Sequence, residues 1–328
     1  MEGQEEIFAV DLVPALKKGI NEYNRNMFYV PEIIKKRIGE NRDKYYSEKI
    51  QSKTEINWIK TDPLGYIETA SELNKINSDF RKTVKFVKGW KNSCKLQNEE
   101  FKLKSFHLEQ IITQYFLRFH DLEIFDSIFV FFTELKDKIS HPRILDRADN
   151  TRYIDGYLNE LTDFQRELIY QSIDSVLISF ENIDGIQDIE NVINTGYYKR
   201  HGKNEQFLFD QKIPTLIDSD LTFKIDGFIK NLHGFRSFNA RLTVTNGVVD
   251  TKNSIDFRVV KNNTSCNLFK WKVKNDANTP EPRGEITDNT SSKITEKTAY
   301  KGTHFVESYA IKDGICVAKD RINVIVRK

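Results

Sequence analysis

Five residues in the first third of the chain have the types and spacing that phosphate chemistry needs: Asp11, Lys85, Lys88, Ser105 and Phe106. Asp11 is set into the apolar segment Ile7–Ala15. There Phe8, Val10 and Leu12 alternate onto one face, so Ala9, Asp11 and Val13 share the other. A carboxylate buried among such neighbours costs several kcal/mol unless paired, so a metal ion or a cation is its expected partner. An Asp on the open face of an edge strand is the competing reading. Lys85 and Lys88 continue from Arg81 as a basic stripe at i, i+4, i+7, beside the apolar stripe Phe80, Val84 and Val87. Ser105 is a natural N-cap, and a helix N-terminus offers free N–H groups and a positive dipole end to phosphate. Phe106 adds an aromatic face on which a base can stack. Together these are the parts of a nucleoside triphosphate site, with Asp11 at the metal end. A second set, Arg283, Glu285, His304 and Glu307, lies near loop ends far along the chain. It reads either as a ligand-sensing group or as a structural network of Arg283 with Glu285 or Glu307.

The elements that must hold these residues fall into two regimes. Two strands come first, Ile7–Ala15 ending at Pro14 and Met27–Pro31, forming a hairpin across a polar, turn-rich Lys17–Asn26. Thr61 or Asp62 starts a helix with Pro63 at its first position. Further helices are expected over 77–91, from Ser105 onward, over 124–139, and from the capping box Thr162–Gln165 through Phe180. His107 reads as packing rather than as a base, and Trp58 as a core or lid aromatic. From Leu221 the period becomes two: Phe223 and Ile225, Leu242 and Val244, Ile255 and Phe257, Phe269 and Trp271, Phe305 to Tyr309, Val324 and Val326. Short alternating strands with polar turns read as a β-sandwich with Trp271 in its core. The expected division is 1–185 for the first domain, 186–215 for a linker and 216–328 for the sandwich.

Composition narrows the function. The chain has 328 residues, more than one core usually fills, and a formal charge of +2. Stable nucleic-acid binding is therefore not expected, despite the Lys/Arg-rich stretch Ile33 to Lys53, and any phosphate site must be local. No apolar run reaches the ~20 residues that a membrane span needs. Met-Glu-Gly-Gln-Glu-Glu has no signal-peptide character, and Cys94, Cys266 and Cys316 are scattered and odd in number. A cytoplasmic protein without a membrane partner is the expectation.

The motifs, taken in order, carry a resemblance. Val10-Asp-Leu-Val-Pro14, Tyr29-Val-Pro31, Trp58-Ile-Lys-Thr-Asp-Pro63, Val84-Lys-Phe-Val-Lys-Gly-Trp-Lys91, Ser105-Phe-His-Leu-Glu109 and Tyr153-Ile-Asp-Gly-Tyr-Leu158 resemble the cGAS/DncV-like nucleotidyltransferases. Trp271–Asn275, Arg283–Ile286, Tyr300–His304, Val306–Tyr309 and Val317-Ala318 resemble the AGS-C sensor domain found in that family. The resemblance implies an α+β chain: the C-terminal part of a nucleotidyltransferase core, with a few strands and a helical bundle, then an all-β sensor. It implies synthesis of cyclic oligonucleotide second messengers from nucleoside triphosphates, in bacterial anti-phage signalling, with a downstream effector reached through the product. It matches Asp11 to the third carboxylate of a two-metal Mg²⁺ site, Lys88 to the lysine on the triphosphate, Ser105 to a hydroxyl near the donor phosphates, and Phe106 to a stacking aromatic. One departure is plain. Only Glu2, Glu5 and Glu6 precede Asp11 as acids, with no Gly-Ser motif and no Asp-x-Asp pair. The expected cause is a truncated reading frame or a fragment of a longer enzyme, with a degenerate homologue or half of a split enzyme as alternatives. The rival function is a non-catalytic nucleotide-binding or sensing protein.

Overall fold

The computed structural model describes residues 13–31, 58–183, 192–193, 196–202, 204–230, 239–266, 268–287 and 291–327. Asp11 lies outside the described residues, as does the basic stretch Ile33 to Lys53. The chain is α+β and divides into two compact units. One comprises Met1–Val84, Phe106–Ile124 and Asp137–Leu161, and the other Lys85–Ser105, Phe125–Lys136 and Thr162–Lys328.

In the first unit, β1 (Leu16–Ile20), β2 (Asn26–Pro31) and β3 (Trp58–Thr61) form an antiparallel sheet in the order β1-β2-β3. The loop between β1 and β2 is short, not long, and Leu16 to Ile20, expected to lie largely within a turn, is a strand. Asn21 explains this: its Oδ1 accepts from the N–H groups of Tyr23 and Arg25, at 3.1 and 3.0 Å, and Asn24 takes φ 58°. The Asn residues close the turn themselves and leave Leu16–Ile20 free to pair. Trp58 is half exposed on β3 and is not a core residue. Asp62 caps α1 (Pro63–Ile76), accepting from Gly65 N–H at 2.9 Å, with Pro63 in the first turn. A Cβ at Gly65 would sit 2.2 Å from Asp62 Oδ2, so the cap itself requires glycine there. Buried Asp62 also takes the Asn21 amide at 2.7 Å and lies 3.6 Å from Arg147 Nε. The guanidinium of Arg147 stacks between the rings of Tyr23 and Tyr66, and Tyr66, pushed up to about 12 by burial, accepts from the Arg147 N–H.

The second unit holds helical segments and the sandwich. Within α2 (Asp79–Gln97), Trp90 is fully buried edge-to-face against Phe101 and against Phe132 of α4 (Ile124–Lys138). The next helix, α5 (Asp163–Glu181), starts with the full Thr162–Gln165 capping box. After β4 (Leu145–Asp146) and β5 (Asp149–Tyr153) of the first unit, all remaining strands belong to the sandwich. Its four-stranded sheet has the order β12-β9-β6-β7, from β6 (Phe223–Lys230), β7 (Asn239–Arg241), β9 (Ser254–Asn262) and β12 (Lys293–Lys297). Its five-stranded sheet has the order β11-β10-β13-β14-β8, from β8 (Val248–Asp250), β10 (Leu268–Lys274), β11 (Ile286–Thr287), β13 (Gly302–Lys312) and β14 (Ile315–Arg327). Asp313 and Gly314, both at positive φ, make the two-residue turn between β13 and β14. The sheets bury Phe223, Phe257, Trp271, Val306, Ala310 and Val324 between them, and Trp271 donates from Nε1 to Ser291 O at 2.8 Å.

Leu242 and Val244 do not form the expected strand. Residues 242–247 are a turn in which Leu242 is fully buried while Val244 is exposed. Leu242 presses on Gly227, where an added Cβ would lie 2.3 Å from its Cδ1, and Gly247 at φ 77° reverses the chain. The alternation of two apolar residues is therefore a plug followed by a turn.

Candidate functional site

At one end of the sandwich lies a cleft of about 400 Å³, lined from both sheets. Alternation supplies its floor: Ile255 and Phe257 of β9, Val273 of β10 and Val306 of β13 all point inward. The strand ends and two loops supply a polar rim, with Arg283, Glu296, Glu281, Asn275, Tyr300 and His304. Its volume falls in the range of small-ligand clefts, ~300–1,000 Å³. An apolar floor with a few fixed polar groups suits a flat aromatic body with a charged end.

Arg283 is the rim's principal cation. Its Nε donates to Glu285 at 2.9 Å and one terminal nitrogen donates to Glu296 at 2.8 Å. Burial opposes its charge, but the two carboxylates hold its pKa above the ordinary arginine value. Two of its five N–H groups are engaged in this way, so part of the planar fork remains for a carboxylate or phosphate. His304 is buried. It receives Asp276 N–H at Nδ1, at 3.3 Å, and faces Tyr300 O from Nε2 at 3.0 Å. Backbone groups engage both ring nitrogens, so His304 is held in place and shapes the rim.

The structure sorts the residues expected to act. Arg283 and His304 line the cleft; Glu285 holds Arg283. Glu307 is not in the cleft. Neighbouring residues of a strand face opposite ways, so Glu307 projects from the other face of β13 and pairs with Arg321, whose Nε is 2.8 Å away. Glu296, Tyr300 and Asn275 also line the cleft and are not among the residues expected to act, although Asn275 and Tyr300 stand at the ends of two stretches that carry the resemblance. The signal for Glu296 was present: it follows Ile294 by two residues, so it is an acid on the inward register of β12 that needs a cation. Lys85 is exposed on α2 and Lys88 is half-buried. Ser105 is the first residue of α3 (Ser105–Arg118). Phe106 is 43% exposed and meets Tyr66 edge-to-face at 4.9 Å. His107 is buried, with Nδ1 3.0 Å from Tyr157 Oη and Nε2 3.7 Å from Asp155. Asp155 in turn accepts the N–H groups of Arg143 and Ile144, at 2.8 and 3.1 Å, so the Tyr153–Leu158 motif builds a polar core. Among the described residues no three His, Cys, Asp or Glu side chains converge on a point that could hold a metal ion. Nor, among them, is any helix long and apolar enough to cross a membrane.

Residues 202–327, which include the sandwich, match the family described as the adenylyl/guanylyl and SMODS C-terminal sensor domain. The match begins inside the stretch 186–215 read as a linker. No curated protein matches the chain.

Proposed function

We propose that this is a nucleotide-signalling protein of the cGAS/DncV-like class whose sandwich senses a nucleotide in the Arg283 cleft. The observation that carries the reading is the cleft itself: an apolar floor with an incompletely used guanidinium at its rim, inside a domain that matches a sensor family. In this reading Lys85, Lys88, Ser105 and Phe106 serve a donor nucleoside triphosphate, and Asp11 serves Mg²⁺. The parent activity is synthesis of cyclic oligonucleotides in anti-phage defence. The described residues offer no carboxylate set for that ion, and Asp11 lies outside them, so the metal rests on resemblance alone.

Calorimetric titration of the full chain with ATP, GTP and a cyclic dinucleotide tests the cleft. At least one should bind, and Arg283→Ala should weaken it about tenfold, the loss of one charged hydrogen-bonding group. Binding that Arg283→Ala leaves untouched would move the ligand elsewhere. Pyrophosphate release from nucleoside triphosphates, abolished by Asp11→Asn, would instead establish turnover.

A further inference from the structure

The outer face of the five-stranded sheet is the surface that should be wet, and it is covered. Lys272, Glu307 and Arg321 stand side by side across β10, β13 and β14. Over them lie the end of α5 and the segment 198–211, whose Leu208 forms a second small core with Tyr309, Ile311 and Cys316. Arg200 fastens this layer: all five of its N–H groups are used, on Asp174 of α5, on Asp210 and on the carbonyl of Glu205. Beneath it is a pocket of about 180 Å³, enough for a phosphate-sized group.

The charges lining this cavity do not close on themselves. Glu205 is taken by Lys274 and Tyr198, and Glu307 by Arg321 and Tyr309. Lys319 donates to the Glu181 carbonyl and the Asn182 side chain. That leaves Lys272, 2% exposed, with its Nζ 3.9 Å from the centre of the Phe207 ring. Among the described residues no carboxylate oxygen lies within ion-pair distance of it. Four basic side chains face three carboxylates; burial pulls Lys272 below its ordinary pKa while Glu307, Glu205 and Glu181 act against that, so an anion bound beside it would favour its charged form.

We infer that this pocket binds a small tetrahedral oxyanion, phosphate or the phosphate end of a nucleotide, with Lys272 as the anchoring cation. Glu181 sets its pH dependence. Burial pushes this carboxyl up to about 7; Lys272 and Lys319 pull against that, and Glu307 adds to it. Its Oε1 accepts from Phe209 N–H at 3.0 Å. Protonated, Glu181 stops repelling an anion and can donate to it, so affinity rises as pH falls through 7. The site lies on the opposite face of β13 from the cleft, and it stands or falls independently of the function proposed there.

Sulfate is the probe, because its charge is constant across this range. Calorimetric titration of the full chain, at fixed ionic strength in chloride, should show one saturable site, tighter at pH 6 than at pH 8. Lys272→Met should weaken it about tenfold or more, and Glu181→Gln should make the affinity equal at both pH values. Competition by inorganic phosphate and by AMP distinguishes the source. Displacement by AMP assigns the site to the end of a larger ligand, and displacement by phosphate alone to the free ion. The absence of a saturable site at pH 6, or Lys272→Met binding like the parent, overturns the inference. Should Lys272→Met fail to fold, Glu181→Gln decides: a pH dependence that survives it overturns the assignment.

Discussion

The Arg283 cleft and the Lys272 pocket share strand β13 and differ in almost everything else. On the inner face, Val306 helps to floor an open cleft whose rim ion pairs reach water: the side chains of Arg283 and Glu296 are 32% and 24% exposed. On the outer face Glu307, one residue along, belongs to a covered network in which Lys272, Glu205 and Glu181 are all buried. The same residue types therefore carry different energetic weight. An exposed pair contributes at most about 1 kcal/mol, whereas removing one partner of a buried pair costs ~3–5 kcal/mol.

The largest effect expected from that contrast is at Glu307. Replacing it by Leu leaves Lys272 facing Arg321 with no carboxylate between them on β13. The cost should be about 3 kcal/mol, at the low end of the range because Arg321 can turn towards water. Urea denaturation reads this directly. A loss below about 1 kcal/mol would mean that the outer face is wet and that the contrast is wrong.

Next is the pH dependence of stability, measured in phosphate-free buffer. The carboxyl of Glu181 titrates near 4.5 in the unfolded chain and near 7 when folded, so the folded state holds its proton over that interval. Its contribution is complete below pH 4.5 and is lost as pH rises through 7, up to about 3 kcal/mol in all. Glu181→Gln keeps an acceptor for Phe209 and removes the titration. The variant should be more stable than the parent at pH 8, with the difference vanishing towards pH 5. Parallel pH profiles for the two proteins would show that Glu181 is solvated.

Why the inner face was legible in the sequence and the outer face was not follows from where each is made. Phe257, Trp271 and Val306 announce the core through their own alternation, and Asp62-Pro63 and Thr162–Gln165 announce helix starts within a few residues. Lys270, Lys272 and Lys274 also alternate, and they have the look of a solvated stripe. What buries Lys272 is Phe207 and the end of α5, remote in sequence and placed by Arg200, which no local pattern reports. Leu242 escapes local pattern for a related reason: its partner is Gly227 on another strand, so two apolar residues two apart have the look of a strand. Arg283 and His304 were found because they lie at loop ends of an alternating segment. Glu296 was missed, although its inward register could have marked it.

The smallest effect sharpens the comparison from the other side. Arg283→Ala removes two ion pairs, but Glu285 and Glu296 both retain access to water, so neither is left as a buried charge. Stability should fall by less than about 1 kcal/mol, and the circular dichroism spectrum should be unchanged. Glu285, now held below its ordinary pKa by the Gly284 N–H and by Arg283 against the opposing effect of burial, should titrate closer to its unperturbed value. NMR titration of its side-chain carbonyl resolves that shift even where denaturation resolves none. A loss of several kcal/mol would make the Arg283–Glu296 pair a structural strut, and the cleft would then lose the cation that argues for a ligand.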